Sequence, residues 1–343
     1  MVTRINAAEL ADYLERLYRS VGMTRGGSRS MAATHVEADL RGIPGHGSRL
    51  APGYLAKLRN GHLNVRPRMT ALADTAASLA LDGDLAPGPV AAGAAVAAAV
   101  QRARRSGVGV VTVRGAGHAG ALGVHAARAA RRGLVGLVAA QTSSASVALH
   151  GGSGRPVLGN SALSIAVPGP VPEEPVLVDM ATGAMSWGVL HQHARSGRPL
   201  PDGCALDERG LPVRDASKAS VLLPGGGGRG QGLAIVVELL VGALTGSDPL
   251  PSGDAGRGLL CLAIDPGRLG VASHLVSAVH EVSLAVRTPG GARMPGDRAW
   301  AHRSHAETHG ITIDEADLRR LVDLGTCSVA APGSWTDHLA ARP

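Results

Sequence analysis

Strand-like and helix-like segments alternate through the middle of the chain. The apolar run SLALDGD precedes the alanine-rich segment GPVAAGAAVAAAVQRARRSG, and the β-branched run VGVVTVR follows it. A second helical segment, ALGVHAARAARRG, leads to the apolar run LVGLVAAQ. Strands that alternate with helices are typical of βαβ units. The pattern therefore predicts an α/β fold, with helical segments near both termini at AAELADYLERLYRSVGM, SRSMAATHVEADLRG and DEADLRRLVDLG.

Small side chains must build the core, because the 343 residues include no Phe and only three Trp and three Tyr. With 45% hydrophobic and 18% charged residues the chain is typical of globular rather than disordered proteins. Alanine and valine gain little burial each, so we expect closely packed helices. Trp187 and Trp300 are interpreted as packing residues rather than as residues that stack on a cofactor.

The cysteines and the apolar segments bear on the cellular compartment. Cys204, Cys261 and Cys327 are widely spaced and form no CxxC pattern, which disfavours disulfides or a zinc site and favours a reducing cytoplasm. The N-terminus lacks the apolar core of a secretory signal. The longest apolar stretch, GLAIVVELLVGALTG, contains Glu238 and is predicted to be too short to span a bilayer. We therefore expect no membrane association.

Basic residues exceed acidic ones, and the net charge is +7. The basic segments QRARRSG and ARAARRG lie on alanine-rich helices without aromatic side chains, so we interpret them as solvated faces and not as a nucleic-acid site. A basic balance suits a small anionic substrate. No metal site is predicted, because His191 and His193 point to different helix faces and His302, His305 and His309 have no evident fourth ligand.

The stretch RGAGHAG directly follows the predicted strand VGVVTVR. Gly115, Gly117 and Gly120 complete the GxGxxG pattern of a dinucleotide-binding loop. The acidic residue expected about 20 residues later is absent, because AAQTSS occupies that place. The alternative is a loop that presents His118 as a general acid or base. From this stretch alone, a catalytic histidine and a packed one remain equally open.

A second glycine-flanked histidine, His46, lies in RGIPGHGSRLAPGY. Ser48, Arg49 and Tyr54 follow it closely. An arginine can hold a carboxylate through two hydrogen bonds, and a histidine can donate to an oxygen that gains charge. The two loops together predict a site that handles a carboxylate and a proton.

Short motifs between about residues 8 and 325 resemble, in order, those of the malate/L-lactate dehydrogenase family of the second type. This NAD(P)-dependent family of 2-oxoacid and cyclic-imine reductases is unrelated to the Rossmann lactate dehydrogenases. The first loop matches the family pattern at Arg41, Gly42, His46, Gly47, Pro52 and Tyr54. The other matching segments are GHAG, VLGNSALSIAVP, VLVDMATGAMSWG, PDGCALDERGLPVRD, GGGGRGQGLAIVVELLVGALTG and MPGD.

The resemblance implies a fold and an organisation. The expected fold is the non-Rossmann type-2 α/β fold, in which a mixed-sheet cofactor domain accompanies a helical region built from both termini. The expected parts are a helical region (1–68 with 298–343), a central α/β region (69–135 plus 270–297) and an NAD(P)-binding domain (136–269). The resemblance also implies a homodimer with its active site at the interface.

The resemblance further implies hydride transfer between NAD(P)H and C2 of a small 2-oxo acid or a cyclic 2-imino acid. His46 and His118 are then the proton-transfer candidates, with Tyr54 near the substrate and Ser48 and Arg49 as substrate-binding candidates. The expected cofactor-binding residues are Thr142, Asp179, Met180, Ala181, Thr182, Arg229, Gly230, Pro295, Gly296 and Asp297.

The chain departs from the family pattern inside the motifs. Gly45 replaces a serine, and Leu50 replaces the arginine that holds the substrate carboxylate, while Arg49 lies one place early. Further replacements are Ala119 for an aromatic residue, Ser161 for Asn, Arg229 for Lys and Gln231 for Tyr. Two hypotheses follow: an enzyme with a specialised substrate and poor activity on malate or lactate, or a cofactor-binding homologue that no longer catalyses. The retained His46, His118 and Tyr54 favour the enzyme.

Overall fold

The computed structural model describes residues 2–251, 253, 257–288, 290–325 and 329–340, so Cys327 lies outside the described residues. The α-helices are α1 (Ala7–Ser20), α2 (Arg25–Leu40), α3 (Ala51–Arg59), α4 (Gly88–Ser106), α5 (Leu122–Ala130), α6 (Trp187–Ser196), α7 (Gly228–Val241), α8 (Ala272–Arg287), α9 (Asp297–His309), α10 (Glu315–Gly325) and α11 (Gly333–Ala340). Short 3-10 helices lie at Pro44–His46, Ser48–Leu50, Ala216–Lys218 and Ala243–Thr245.

The strands are β1 (Val2–Ile5), β2 (Thr70–Asp74), β3 (Ser78–Ala86), β4 (Val108–Ala116), β5 (Val135–Ala140), β6 (Ala145–Ala148), β7 (Pro156–Gly159), β8 (Ala162–Val167), β9 (Val176–Ala181), β10 (Ala205–Leu206), β11 (Val221–Leu222), β12 (Arg257–Ile264) and β13 (Ile311–Asp314). The strands predicted at VGVVTVR, LVGLVAAQ, LSIAVP, PVLVDMA and GLLCLAIDP are therefore confirmed, as β4, β5, β8, β9 and β12.

Seven described strands form the main sheet in the order β2-β3-β4-β12-β5-β8-β9. Strands β3 and β4 are parallel and are joined by α4, which confirms the predicted βαβ unit. The other neighbouring pairs are antiparallel, so the sheet is mixed. A smaller sheet has the order β10-β11-β6-β7. The main sheet combines β2, β3 and β4 from the predicted central region with β8, β9 and β12 from the predicted cofactor domain. The boundary between these two regions therefore stays a prediction.

Glycines in the strands allow the alanine-rich helices to approach the main sheet closely. A Cβ added to Gly109 of β4 would lie 2.0 Å from the carbonyl oxygen of Ala99 in α4. One added to Gly136 of β5 would lie 2.6 Å from the carbonyl oxygen of Ala126 in α5. The expected close packing of small side chains is therefore confirmed at this helix–sheet contact.

The two termini share one helical region, as predicted. Strand β1 pairs antiparallel with β13, and residues from α1, α2, α3, α10 and α11 contribute to one hydrophobic core. Within that core the rings of Tyr13 and Trp335 meet edge to face with centroids 5.1 Å apart, and the Tyr13 hydroxyl donates to the carbonyl oxygen of Leu321 at 2.7 Å. The loop that contains His46 packs against this helical region.

The prediction that the apolar stretch around Glu238 is too short to span a membrane is wrong. Helix α7 begins at Gly228, four residues before the predicted segment, so that among the described residues Gly228–Thr245 is long and apolar enough to do so by length and composition. The core helix of a domain meets the same criteria. Here the Glu238 carboxylate accepts hydrogen bonds from Gly159 N (2.8 Å), Ser161 Oγ (2.9 Å) and Gln141 Nε2 (3.2 Å), which ties α7 to the strands beside it.

Candidate active site

A cleft of about 340 Å³ lies between α3, the loop after β4 and the segments that lead into the small sheet. Tyr54 and Lys57 line it from α3, and His118 lines it from the loop after β4. Thr142 and Asn160 line it as well. The cleft therefore unites two residues predicted for catalysis with one predicted for cofactor binding.

Tyr54 fixes the orientation of His118. Its hydroxyl lies 2.6 Å from the carbonyl oxygen of His118 and 2.9 Å from Nδ1 of the ring, so that its single proton is shared between these two acceptors. The amide of Gly120 also donates to Nδ1, at 3.3 Å. Because Nδ1 accepts this bond, the geometry favours the neutral tautomer with its proton on Nε2. His118 then presents an N–H donor rather than a lone pair at Nε2.

Electrostatics keep His118 neutral. Loss of hydration lowers its pKa well below 6.5, and the positive charges of His46, Arg257, His35 and Lys57 lower it further. Burial raises the pKa of Tyr54, so its hydroxyl keeps its proton. At neutral pH the pair is therefore an uncharged hydrogen-bonded unit beside the positive charges of Arg257 and Lys57.

His46 ends the short helix Pro44–His46 and stacks on His118, with ring centroids 5.7 Å apart and planes inclined by 20°. Burial lowers the pKa of His46 from 6.5. The two histidines predicted from separate loops therefore lie side by side, with His118 lining the cleft and His46 behind it.

Asp39 and His35 of α2 support the first loop, and the sequence analysis missed both. The buried Asp39 accepts a hydrogen bond from Ser48 N at 2.8 Å, and burial raises its pKa to about 7. A Cβ added to Gly47 would lie 1.7 Å from Asp39 Oδ1, so the loop closes tightly over the carboxyl group. His35, whose pKa burial lowers to about 4, contacts the hydroxyl of Tyr18 through Nε2 at 2.8 Å and the carbonyl oxygen of His46 through Nδ1 at 3.5 Å.

The glycine pattern around His118 does not form a phosphate cradle. The amide of Gly117 donates to the carbonyl oxygen of Ala86 at 2.8 Å. At the start of α5 the amide of Gly123 donates to the carboxylate of Asp179 at 2.9 Å, which occupies the place a phosphate would take. The alternative stated above, a loop that presents His118, is the one the structure contains. Asp179, predicted as a cofactor residue, lies at this helix terminus.

Two predicted cofactor residues, Thr142 and Thr182, are linked through Ser161. Its hydroxyl accepts from Thr142 N at 3.2 Å, and its carbonyl oxygen accepts from Thr182 N at 3.0 Å. The carbonyl oxygen of Thr182 accepts in turn from Gly225 N at 3.0 Å, which joins the end of β9 to the glycine-rich turn before α7. The segment Asp179–Thr182, in which Met180 is exposed, therefore lies between the cleft and this turn.

The glycine-rich turn suits an anionic group. Gly226 and Gly227 have φ values of 80° and 64°, and Arg229 and Gly230 lie in the first turn of α7, which has no side-chain cap. Nearby, Thr182 Oγ1 is buried with no hydrogen-bond partner among the described residues. A buried hydroxyl without a partner, linked through its own backbone to a helix N-terminus that has no side-chain cap, fits a cofactor that carries phosphates and hydroxyl groups.

The segment Pro295–Asp297 lies farther from the cleft. The carbonyl oxygen of Pro295 accepts from Leu177 N on β9 at 3.0 Å, and Asp297 forms an ion pair with Arg287 at 2.6 Å. Pro295 and Asp297 line a separate cavity of about 150 Å³ beside α8. Gly296 precedes α9 with a φ of 99°. The structure thus places this motif beside β9 but does not bring it into the cleft.

The predicted substrate-binding residues lie outside the cleft. Ser48 is buried against Asp39, and Arg49 forms an ion pair with Asp317 at 3.6 Å. Leu50, the next residue, lines the cleft, and so does Arg257 at the start of β12. Sequence reasoning missed Arg257, because its partner strand β4 is about 140 residues away along the chain.

The remaining aromatic and histidine predictions have mixed outcomes. Trp300 packs in the core, and its Nε1 donates to the carbonyl oxygen of Pro175 at 2.9 Å. Trp187 packs against the small-sheet core and also lines the cleft, which the packing interpretation did not foresee. In the part of the chain that the structure describes, no group of three or more His, Cys, Asp or Glu residues could hold a metal ion.

Comparison with known proteins gives the same family as the motifs. The model of the malate/L-lactate dehydrogenase family matches residues 5–322. This chain belongs to that family. Membership makes it a dehydrogenase or reductase and implies a nicotinamide cofactor.

Relatives with different substrates match almost the whole chain. L-sulfolactate dehydrogenase of Methanothermobacter thermautotrophicus is 29% identical over 331 residues, which cover 94% of this chain and 96% of that protein. The Δ1-pyrroline-2-carboxylate/Δ1-piperideine-2-carboxylate reductase of Pseudomonas syringae pv. tomato is 30% identical over 332 residues, covering 93% and 96%. The structure of sulfolactate dehydrogenase from Methanocaldococcus jannaschii superposes with a TM-score of 0.87 at 26% identity, covering 96% of this chain and 98% of that one. The expected fold is therefore confirmed.

Proposed function

We propose that this protein uses NADH or NADPH to reduce C2 of a small 2-oxo acid, or the C=N carbon of a cyclic 2-imino acid. The observation that carries the proposal is the pairing of His118 with Tyr54 at 2.9 Å, in a cleft that Thr142 also lines. Relatives that act on sulfolactate and on cyclic imino acids support both substrate classes. Leu50 in place of an arginine supports poor activity on malate and lactate.

The cofactor would be held by Thr142, Asp179–Thr182 and the turn before Arg229 and Gly230. When bound, it supplies the hydride that adds to C2. His118 donates a hydrogen bond from Nε2 to the substrate oxygen or nitrogen as negative charge develops on that atom. Tyr54 and Gly120 hold the ring in this orientation through Nδ1.

We assign the proton to His46. Protonating His118 is costly because Arg257 and Lys57 add their charges to the loss of hydration, whereas burial is the one resolved cause that lowers the pKa of His46. An anionic substrate in the cleft favours the charged form of a nearby histidine. His46 therefore takes up a proton more readily than His118 does, and because His118 is the one that lines the cleft, the proton reaches the substrate by way of this histidine pair. General acid catalysis of this kind is typically worth about 10²–10⁴-fold.

The test is a panel of 2-oxo acids and cyclic imines, followed by the loss of reduced-nicotinamide absorbance, with the wild type and with His46→Ala and His118→Ala. Both variants should lose turnover by at least about 10²-fold while the fluorescence titration of NADH or NADPH stays unchanged. That titration also decides which cofactor is preferred. If both variants remain fully active, the site assignment is wrong.

A cofactor-binding homologue without catalysis is the second candidate, and Leu50 and Gly45 are the observations that favour it. It predicts saturable cofactor binding with no turnover of any member of the panel. The free, buried Cys204 and Cys261 support a reducing cytoplasm as the place of action.

The exposed face of α8 supports a homodimer. None of the residues of α8, all of which the structure describes, is buried, although the helix carries Val282 and Leu284 with 52% and 55% exposure. A second copy of the chain would cover such a surface. Sedimentation of Val282→Asp should show a monomer where the wild type is a dimer, and Leu211→Asp, a similarly exposed site elsewhere, should leave the dimer intact. A monomeric wild type would contradict this proposal.

A further inference from the structure

The first histidine loop cannot place a cation in the cleft. The family arginine of that loop is replaced by Leu50, whose side chain lines the cleft. Arg49 is engaged by Asp317 at 3.6 Å. Yet a substrate acid needs a positively charged donor, because a carboxylate that is taken out of water without one is strongly destabilised. Among the residues that line the cleft, Lys57 of α3 and Arg257 of β12 carry the positive charges.

Arg257 meets this need. It is the first residue of β12 and pairs across the sheet with Ala116, two residues before His118. The residue is 7% exposed and lines the cleft. Its positive charge acts on both His118 and Tyr54, since it lowers the pKa of each. A buried guanidinium has the fork geometry that matches a carboxylate, and it is held next to the reacting end of the cleft.

Three large apolar side chains also line the cleft. Leu50 and Leu63 line the cleft from the helical region, and Trp187 lines it from the start of α6. A second acidic group on the substrate would lose its hydration against these side chains, whereas a hydrocarbon chain or ring would gain by burial. The cleft lining therefore combines the guanidinium next to His118 with a group of large apolar side chains.

We propose that Arg257 holds the carboxylate of the substrate in place of the missing arginine at position 50, and that Leu50, Leu63 and Trp187 receive an apolar group attached to C3. This inference rests on the proposed reductase function and narrows its substrate class to 2-oxo acids with an unbranched or cyclic hydrocarbon side chain and to the corresponding cyclic imines. Substrates with a second acid group are disfavoured.

The experiment relocates the arginine. Four variants are compared with the wild type: Arg257→Leu, Arg257→Lys, the double variant Leu50→Arg/Arg257→Leu, and Arg49→Leu as the rival arginine. For each, kcat/KM is measured with 2-oxopentanoate and with oxaloacetate, and the binding of oxamate to the protein saturated with reduced cofactor is measured by fluorescence. Thermal unfolding and the cofactor titration report whether each variant keeps its fold.

Arg257→Leu should lower kcat/KM for 2-oxopentanoate and weaken oxamate binding by about 10²–10³-fold, with cofactor affinity unchanged. Arg257→Lys should retain an intermediate value, and the double variant should regain at least about tenfold over Arg257→Leu, because the charge returns at position 50. If Arg257 only stabilised the fold, an arginine at position 50 would not restore substrate binding. The wild type should prefer 2-oxopentanoate to oxaloacetate.

The inference is overturned if Arg257→Leu binds oxamate as the wild type does, or if Arg49→Leu loses more binding than Arg257→Leu. A wild type that favours oxaloacetate overturns the assigned substrate class. Absence of turnover in the wild type together with oxamate binding that depends on Arg257 contradicts the proposed function but supports the carboxylate site, so the two failures are distinguishable.

Discussion

The three tyrosines of the chain provide a graded test of how the helical region positions the histidines. Each has a buried hydroxyl with one protein contact of its own: Tyr13 with Leu321, Tyr18 with His35, and Tyr54 with His118. Replacement by Phe removes one hydroxyl and leaves a buried partner without its hydrogen bond. Such a loss typically costs about 1–3 kcal/mol. All three variants should therefore lose a similar amount of stability, measurable by urea denaturation.

Their effects on catalysis should differ by more than their effects on stability. Tyr54→Phe frees the His118 ring at Nδ1 and should lower kcat by about 10–10²-fold, because a displaced donor stabilises the developing charge poorly. Tyr18→Phe acts one contact away, through His35 and the carbonyl oxygen of His46, and should cost about threefold to tenfold. Tyr13→Phe, far from the cleft, is the matched control.

The reasoning is refuted if the three variants show equal kcat, or if Tyr13→Phe is the most impaired. If the three variants lost equal stability and equal kcat, the tyrosine hydroxyls of the helical region would stabilise the fold without positioning the histidines. The measurement is kcat at saturating cofactor and substrate, at a temperature where all variants remain folded.

Three further predictions concern the supporting groups. Glu238→Ala leaves three buried donors without an acceptor and should lower the free energy of unfolding by about 3 kcal/mol or more, whereas Glu238→Gln should lower it by less. Because burial raises the pKa of Glu238 above 4.5, the free energy of unfolding of the wild type should also fall as the pH rises above that value. Glu238→Gln should flatten this pH dependence in urea titrations. Gly45→Ser should change stability by less than about 0.5 kcal/mol, since the nearest atom to an added Cβ is 3.8 Å away, whereas Gly47→Ser should destabilise by more than about 2 kcal/mol through its clash with Asp39. Because the pKa of His46 lies below 6.5, kcat/KM for the reduction should fall tenfold per pH unit above pH 6.5. The reverse oxidation needs neutral His46, so its kcat/KM should be constant in the same range. A reduction rate that rises with pH would exclude His46 as the acid.

The sequence predicts those elements whose periodic pattern and packing partners lie close together along the chain. The βαβ unit around Gly109 can be predicted because its strands and its helix follow one another directly in the sequence and each has a regular hydrophobic pattern. His118 is readable because its loop joins two such elements. By contrast, β1 and β13 are four-residue strands that pair across more than 300 residues, and neither carries a signal strong enough to predict it.

The supporting residues are harder to infer because their partners are distant or unusual. Asp39 and His35 lie one helical turn apart on α2, directly before the loop of His46, and that spacing is a signal the sequence offers. Arg257 offers none, because only the pairing of β12 with β4 brings it to the cleft. Helix α7 begins four residues before the predicted segment, because a glycine-rich first turn does not have the sequence pattern of a helix.

The most direct test of the central claim follows the transferred hydrogen. The protein is incubated with 2-oxopentanoate, or with a cyclic 2-imino acid, and with reduced cofactor that carries two deuterium atoms at C4 of the nicotinamide, and the product is analysed by NMR and mass spectrometry. We expect deuterium at C2 of the product in the wild type and none above background in His118→Ala. Cofactor that binds with saturation yet transfers no deuterium to any member of the panel would contradict the account and leave the cofactor-binding homologue in its place.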